Sequence, residues 1–185
     1  MTGSGLLPVA IHKNKLYFLF GKENDLEDSA KGFSDFGGSI DNNESPFETA
    51  LREGAEELTG FLGNAAELER HIKSHGGVKL FKLENYYTHI FVLDYDQHLP
   101  KYYNMNHRFL WDKMDKQILN DSKLFEKIEI CWFRPEEMMS RISEFRGFYQ
   151  EMIKKLYKAR HEIHGFIQKN GATHKTKKKK QKISA

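Results

Sequence analysis

The stretch that most constrains this chain runs from Gly37 to Gly60, GGSIDNNESPFETALREGAEELTG. Two adjacent glycines lead into a short polar loop, and the loop leads into a segment carrying Arg52, Glu53, Glu56 and Glu57. Ser45-Pro46-Phe47-Glu48 spells a helix start. Ser45 serves as N-cap, Pro46 fits the first helical position, and Glu48 completes a capping box. From Phe47 onward a helical period places Phe47, Leu51, Ala55 and Leu58 on one stripe, with Ala50 and Gly54 at its edge. That stripe should face a core, with Glu53, Glu56 and Glu57 on the other side. Like charges four residues apart oppose helix formation, and Gly54 costs roughly 1 kcal/mol against alanine. The helix is therefore not optimised for its own stability. A hard divalent cation would turn the repulsion into binding, because Mg²⁺ takes oxygen ligands from a few carboxylates and from substrate phosphates. Gly37 and Gly38 would let backbone approach such an ion closely. Glutamate-rich helices are also the ordinary look of a solvated face, so the carboxylates alone do not decide.

The full string is more specific. Gly38, Glu44, Arg52, Glu53, Glu56 and Glu57 fit the pattern G-x5-E-x7-R-E-U-x-E-E, with U apolar. In this the chain resembles the Nudix hydrolases. Two departures stand outside the charged set. Gly54 occupies the apolar position, and Leu58 and Thr59 both intervene before the closing Gly60. The resemblance implies an α/β fold, a Nudix-type α/β/α sandwich with a mixed β-sheet and a loop–helix–loop motif.

The remainder of the chain suits such a fold. At 185 residues there is room for one domain with a sizeable core, and we read 1–170 as that domain. Leu6–His12 and Leu16–Phe20 are expected to form a hairpin, and Phe33–Phe36 a short strand entering the glycines. Ala65–Ser74 reads as a helix, His75-Gly76-Gly77 as a turn, and Val78–Leu83 and Tyr86–Tyr95 as strands. Asp96–Leu124 is a long insertion with a helix expected over Asn106–Leu119. It is either a substrate-recognition element or a packed cover. Phe125–Phe133 is a further strand and Pro135–Ser140 a short helix. Ser143 should open a long helix reaching Ile167, with Gly165 a break and Phe145, Phe148, Tyr149, Met152, Ile153 and Leu156 as its core stripe.

Charge and cysteine usage narrow the setting. Six lysines fall between Lys175 and Lys182 with no acid among them, so the net charge of +3 belongs to the tail and the remainder is net acidic. Such a run, 171–185, is expected to be disordered. It could also contact RNA phosphates or act as a nuclear localisation signal. The single cysteine, Cys131, excludes an internal disulfide and fits a reducing compartment. No apolar run approaches the ~20 residues that span a bilayer, and no secretory signal is evident. A cytoplasmic protein, with the nucleus as the alternative, is the expectation.

The resemblance implies Mg²⁺-dependent hydrolysis of the diphosphate linkage in a nucleoside diphosphate joined to another group, with Mn²⁺ as the alternative ion. Glu53, Glu56 and Glu57 would hold the metal with the carbonyl of Gly38 or Gly37. Arg52 would pair with Glu44 and fix the loop to the helix. The general base is open: a box glutamate, Glu126, or Glu129 behind it, the last two having surface charge as their ordinary reading. Phe33, Tyr86, Tyr87 and Trp111 are candidates to stack on a base, though core is the ordinary reading of each. Two substrate classes remain, a small nucleotide or the cap of an mRNA. The insertion and the FRGFYQEM segment are similar to Nudix proteins of large DNA viruses, some of which decap mRNA. A non-catalytic Nudix-fold module that binds RNA is the alternative of another class.

Overall fold

The structure is a computed structural model that describes residues 2–23, 31–41, 43–115, 117–118 and 126–170. Its centre is β1 (Gly3–His12), a strand long enough to serve several partners. On one edge β1 pairs in parallel with β6 (Tyr86–Val92). Its other edge is shared: the first half takes β4 (Phe36–Ser39) and the second half takes β2 (Lys15–Glu23), both antiparallel. β2 continues the sheet to β3 (Phe33–Ser34) and β7 (Lys127–Phe133), and β5 (Val78–Leu83) lies outside β6. The result is a mixed seven-stranded sheet.

Alternation along the strands decides what each face buries. Leu6 and Phe91 face Ala50 and Leu51 of α1 (Pro46–Glu57) and Leu68 and Ile72 of α2 (Ala65–Ser74). Leu7, Val9 and Ile90 face the opposite layer, which supplies Tyr149, Met152, Ile153, Leu156, Ile163 and Ile167. The expected α/β/α sandwich is the observed architecture. α3 (His98–Lys113) packs on β7 through Tyr103, and α4 (Pro135–Ser140) follows β7 directly.

Three segments differ from expectation. The helix in the insertion begins at His98 rather than Asn106, because Asp96 Oδ1 accepts from the backbone N–H of His98 at 2.7 Å and nucleates an earlier turn. Strand β6 stops at Val92. The long C-terminal helix is broken ahead of its regular part. Phe145 forms an isolated bridge with Phe33, and the N–H of Arg146 donates to the Phe33 carbonyl at 3.1 Å. That bridge holds the chain extended, so 3₁₀ turns at Ile142–Glu144 and Gly147–Tyr149 precede α5 (Gln150–Lys158). The next break falls at Ala159, not Gly165, which lies within a helix over 160–170. One core residue is lost by this rearrangement: Phe148, expected on the buried stripe, is 51% exposed. The expected beginning of the last strand at Phe125 and the tail 171–185 lie outside the described residues.

Both departures inside the glycine–glutamate stretch have a local explanation. A Cβ at position 54 would stand 2.7 Å from Leu6 Cδ1, so glycine lets α1 sit close on β1. The delayed closing glycine leaves Thr59 in the left-handed region, at φ +51°, ahead of Gly60 at +73°. A β-branched residue is strained there, and the Thr59 hydroxyl is buried without a hydrogen-bond partner among the described residues. Thr59→Gly should therefore raise stability by about 1 kcal/mol despite the extra chain entropy of glycine. A urea titration reads this directly, and a lower midpoint for the variant would contradict it.

Candidate active site

The site is built where the end of β4, the length of α1 and the start of β7 converge. Capping fixes α1 at its beginning. The N–H of Glu48 donates to Ser45 Oγ at 3.3 Å, and the N–H of Ser45 donates to Glu48 Oε2 at 2.8 Å. Arg52 then ties the preceding loop to the helix. Its Nε and Nη2 donate to the two oxygens of Glu44 at 2.9 and 3.0 Å, and Thr49 Oγ1 adds a bond of 2.7 Å to Glu44 Oε2. These hydrogen bonds, from Arg52 first and Thr49 second, hold the Glu44 carboxyl down at about 2. Arg52 Nη1 donates to Glu53 Oε1 at 2.8 Å, so one guanidinium orients both carboxylates.

Glu53 lies against the glycine pair. A Cβ on Gly38 would fall 2.4 Å from Glu53 Oε1, and one on Gly37 would fall 2.3 Å from the Cα of Gly5. Side chains at either position would push β4 off β1 or displace the carboxylate.

Glu53, Glu57 and Glu126 each offer a carboxylate oxygen, and these atoms all lie within 4.8 Å of one another. Glu56 stands outside that group, exposed, with Arg52 Nη1 3.6 Å away. Glu57 is not on a solvated face, contrary to the helical-wheel reading, because β7 and α3 cover the end of α1. The Lys127 ammonium, fully buried, lies 3.0 Å from Glu57 Oε1 and also donates to Glu23 Oε1. Tyr103, reaching in from α3, donates to the carbonyl of Glu57 at 3.0 Å. Burial pushes the Glu57 carboxyl well up, with Lys127 opposing and Glu23 reinforcing. Burial pulls Lys127 down, and the Glu57 and Glu23 carboxylates outweigh it, so its ammonium is held above the ordinary lysine value.

The donor set suits a hard cation. All three groups are oxygen donors. Glu57 Oε2 is buried with no hydrogen-bond partner among the described residues, and an oriented but unpaired buried acceptor is costly unless something positive meets it.

Beside Gly37 and Gly38 a cleft of about 480 Å³ opens, lined by Glu84, Asn85, Tyr86, Arg146 and Phe148. Of the aromatics considered for stacking, only Tyr86 reaches this cleft. Phe33 is in the core, Tyr87 lies beneath Lys82 with the ammonium 4.8 Å from its ring, and Trp111 stacks on His107 at 5.5 Å. Behind Tyr86 is a group that the sequence did not single out, Asp35. Its carboxylate accepts from Tyr86 Oη at 2.7 Å and from Thr88 Oγ1 at 2.8 Å. Burial nonetheless dominates and raises Asp35 from 3.8 to about 6. Lys127, Glu23, Asp35, Arg146 and Phe148 were likewise not identified as site residues from sequence. Nothing local marked Lys127, which stands between Glu126 and Glu129 in the sequence.

No family model matches the chain, and no curated protein matches it in sequence. Solved structures do match. A C. elegans Ap4A hydrolase, as a binary complex, superposes with a TM-score of 0.52 at 15% identity over 89% of this chain and 98% of that one. A Nudix hydrolase from M. smegmatis, RenU, superposes with a TM-score of 0.53 at 12% identity over 88% of each chain. The fold is that of the Nudix hydrolases, in agreement with the resemblance carried by the Gly38-to-Glu57 residues.

Asp35 gives a pH signature. Between about 4 and about 6 the native state holds a proton that the unfolded chain has released, so this group's contribution to stability falls as pH rises through that window. The stability difference between wild type and Asp35→Asn should therefore decline by roughly 3 kcal/mol across it and stay flat above. Urea unfolding at pH 4 and pH 7 measures the difference, and a pH-independent value would show that Asp35 is not held protonated.

Proposed function

We propose that this chain is a divalent-metal-dependent hydrolase that cleaves the diphosphate linkage of a nucleoside diphosphate joined to another group. The observation that carries the reading is the convergence of Glu53, Glu57 and Glu126 beside Gly38. Glu53 and Glu57 would hold Mg²⁺ or Mn²⁺, with Glu56 from the rim and the Gly38 carbonyl completing the set. When bound, the cation supplies charge neutralisation at the pyrophosphate and a water of lowered pKa. Arg52 and Glu44 position the carboxylates. Glu126, within the same group, is a ligand or the general base that takes the proton of the attacking water.

Residues 1–170 would form the catalytic domain, and the lysine tail would contact RNA if the substrate is an RNA end. No helix among the described residues is long and apolar enough to cross a membrane. The one cysteine and the basic tail suit a cytoplasmic or nuclear setting. The name of the C. elegans neighbour adds dinucleoside polyphosphates to the substrates worth testing beside nucleoside triphosphates, nucleotide sugars and capped RNA.

Glu57→Gln also breaks the buried pair with Lys127, so it is expected to lower stability as well as rate. Glu53→Gln is the cleaner variant. It should melt within a few degrees of wild type and lose at least ~100-fold in turnover on whichever substrate the wild type hydrolyses with Mg²⁺, and EDTA should abolish wild-type turnover. Wild-type rates in Glu53→Gln would remove the metal site as drawn. Folded protein that hydrolyses no member of the panel would favour the non-catalytic binding module instead.

A further inference from the structure

The cleft beside the glycines contains an aromatic surface that the fold takes trouble to expose. Phe145 and Tyr149, on either side of Phe148 in sequence, are buried, whereas half of Phe148 is left to solvent. Its surroundings are held in place. The Tyr86 ring meets it edge-on at 5.4 Å, and Tyr86 cannot swing freely because its hydroxyl is bound to Asp35. The Arg146 guanidinium lies 4.9 Å from the Phe148 centroid, and Arg146 Nη1 is anchored on Glu23 at 2.8 Å. An exposed ring framed by two fixed groups is a preorganised flat platform. Its natural complement is a planar π-system, and next to a site for diphosphates that means a nucleobase.

The turn between β5 and β6 selects among bases. Glu84 and Asn85 line the same cleft, and Glu84 has no ion-pair or hydrogen-bond partner among the described residues. An ionised carboxylate can only accept hydrogen bonds. Guanine presents two adjacent donors, N1–H and N2–H₂, matched to two carboxylate oxygens. Adenine and cytosine place an acceptor nitrogen beside one donor, and uracil flanks its single N–H with two carbonyls. We propose that this cleft is a guanine subsite, in which the base stacks on Phe148 and Glu84 takes its N1–H and N2–H₂. The assignment deepens the hydrolase reading by naming the nucleoside next to the diphosphate, and it rests on that reading for the diphosphate alone.

Base recognition can be measured without turnover. Calorimetric titration of the full-length protein with GMP, AMP and UMP should give GMP an advantage of at least ~10-fold. Glu84→Gln should reduce that advantage to within ~3-fold. Phe148→Ala should weaken GMP and AMP alike by ~10-fold or more. Both side chains are exposed, and a thermal melt confirms that each variant is folded. Equal binding of GMP and AMP by wild type, or a preference that survives Glu84→Gln, overturns the subsite even if a hydrolase activity is found. Selective GMP binding with no turnover of any substrate would instead retain the subsite and remove the hydrolase reading. Competition against GMP by GTP and by a capped RNA distinguishes a free nucleotide from an RNA end as the source of the guanine, and displacement by neither also overturns the assignment.

Discussion

The buried ammonium of Lys127 is the interaction on which the rest of this structure depends. It is the first residue of β7, Glu23 is the last of β2, and Glu57 is the last of α1, so a single side chain joins the helix to two strands. Burying three charges carries a large desolvation penalty, and removing one partner leaves the others uncompensated. Carboxyl groups outnumber the ammonium in the triad, and those of Glu53 and Glu126 stand beside it. That excess is what the proposed cation would meet. Glu23 also receives Arg146, which in turn lies over Phe148. A continuous run of ion pairs therefore links the carboxylate group to the wall of the cleft.

The defects of α1 as an isolated helix acquire a purpose in this light. Glu53 and Glu57 repel along the helix, yet each has its own cation, Arg52 and Lys127. Gly54 weakens the helix and allows it to settle on Leu6. Tertiary packing, more than intrinsic propensity, holds most short helices in place. Here it does so while keeping acidic side chains together that would otherwise separate.

Local features were legible in the sequence and long-range ones were not. The capping box of Ser45 and Glu48, the Gly37-Gly38 pair and the spacing from Gly38 to Glu57 all act within a few turns, and the sandwich was implied by the resemblance that this spacing carries. Glu126 was only a weak candidate, because its proximity to Glu53 is created by the pairing of β7 with β2. Lys127 gave no distinctive signal, since its burial depends on Glu23, 104 residues away in sequence. Phe148 was misread for a related reason. Helical periodicity from Ser143 assumes an unbroken helix, and the bridge between Phe145 and Phe33 interrupts it.

A smaller feature sits on the far side of β7. Asn104, on α3, donates from Nδ2 to the Ile130 carbonyl at 3.2 Å and accepts the Ile130 N–H on Oδ1 at 2.9 Å. Its carboxamide thus makes the two bonds that an adjoining strand would make. An outer strand with open backbone groups is a template for another chain, and here one side chain imitates that neighbour at the middle of the strand. The insertion that carries Asn104 is in this respect a selvedge: it takes up the backbone groups of Ile130 that an added strand would use.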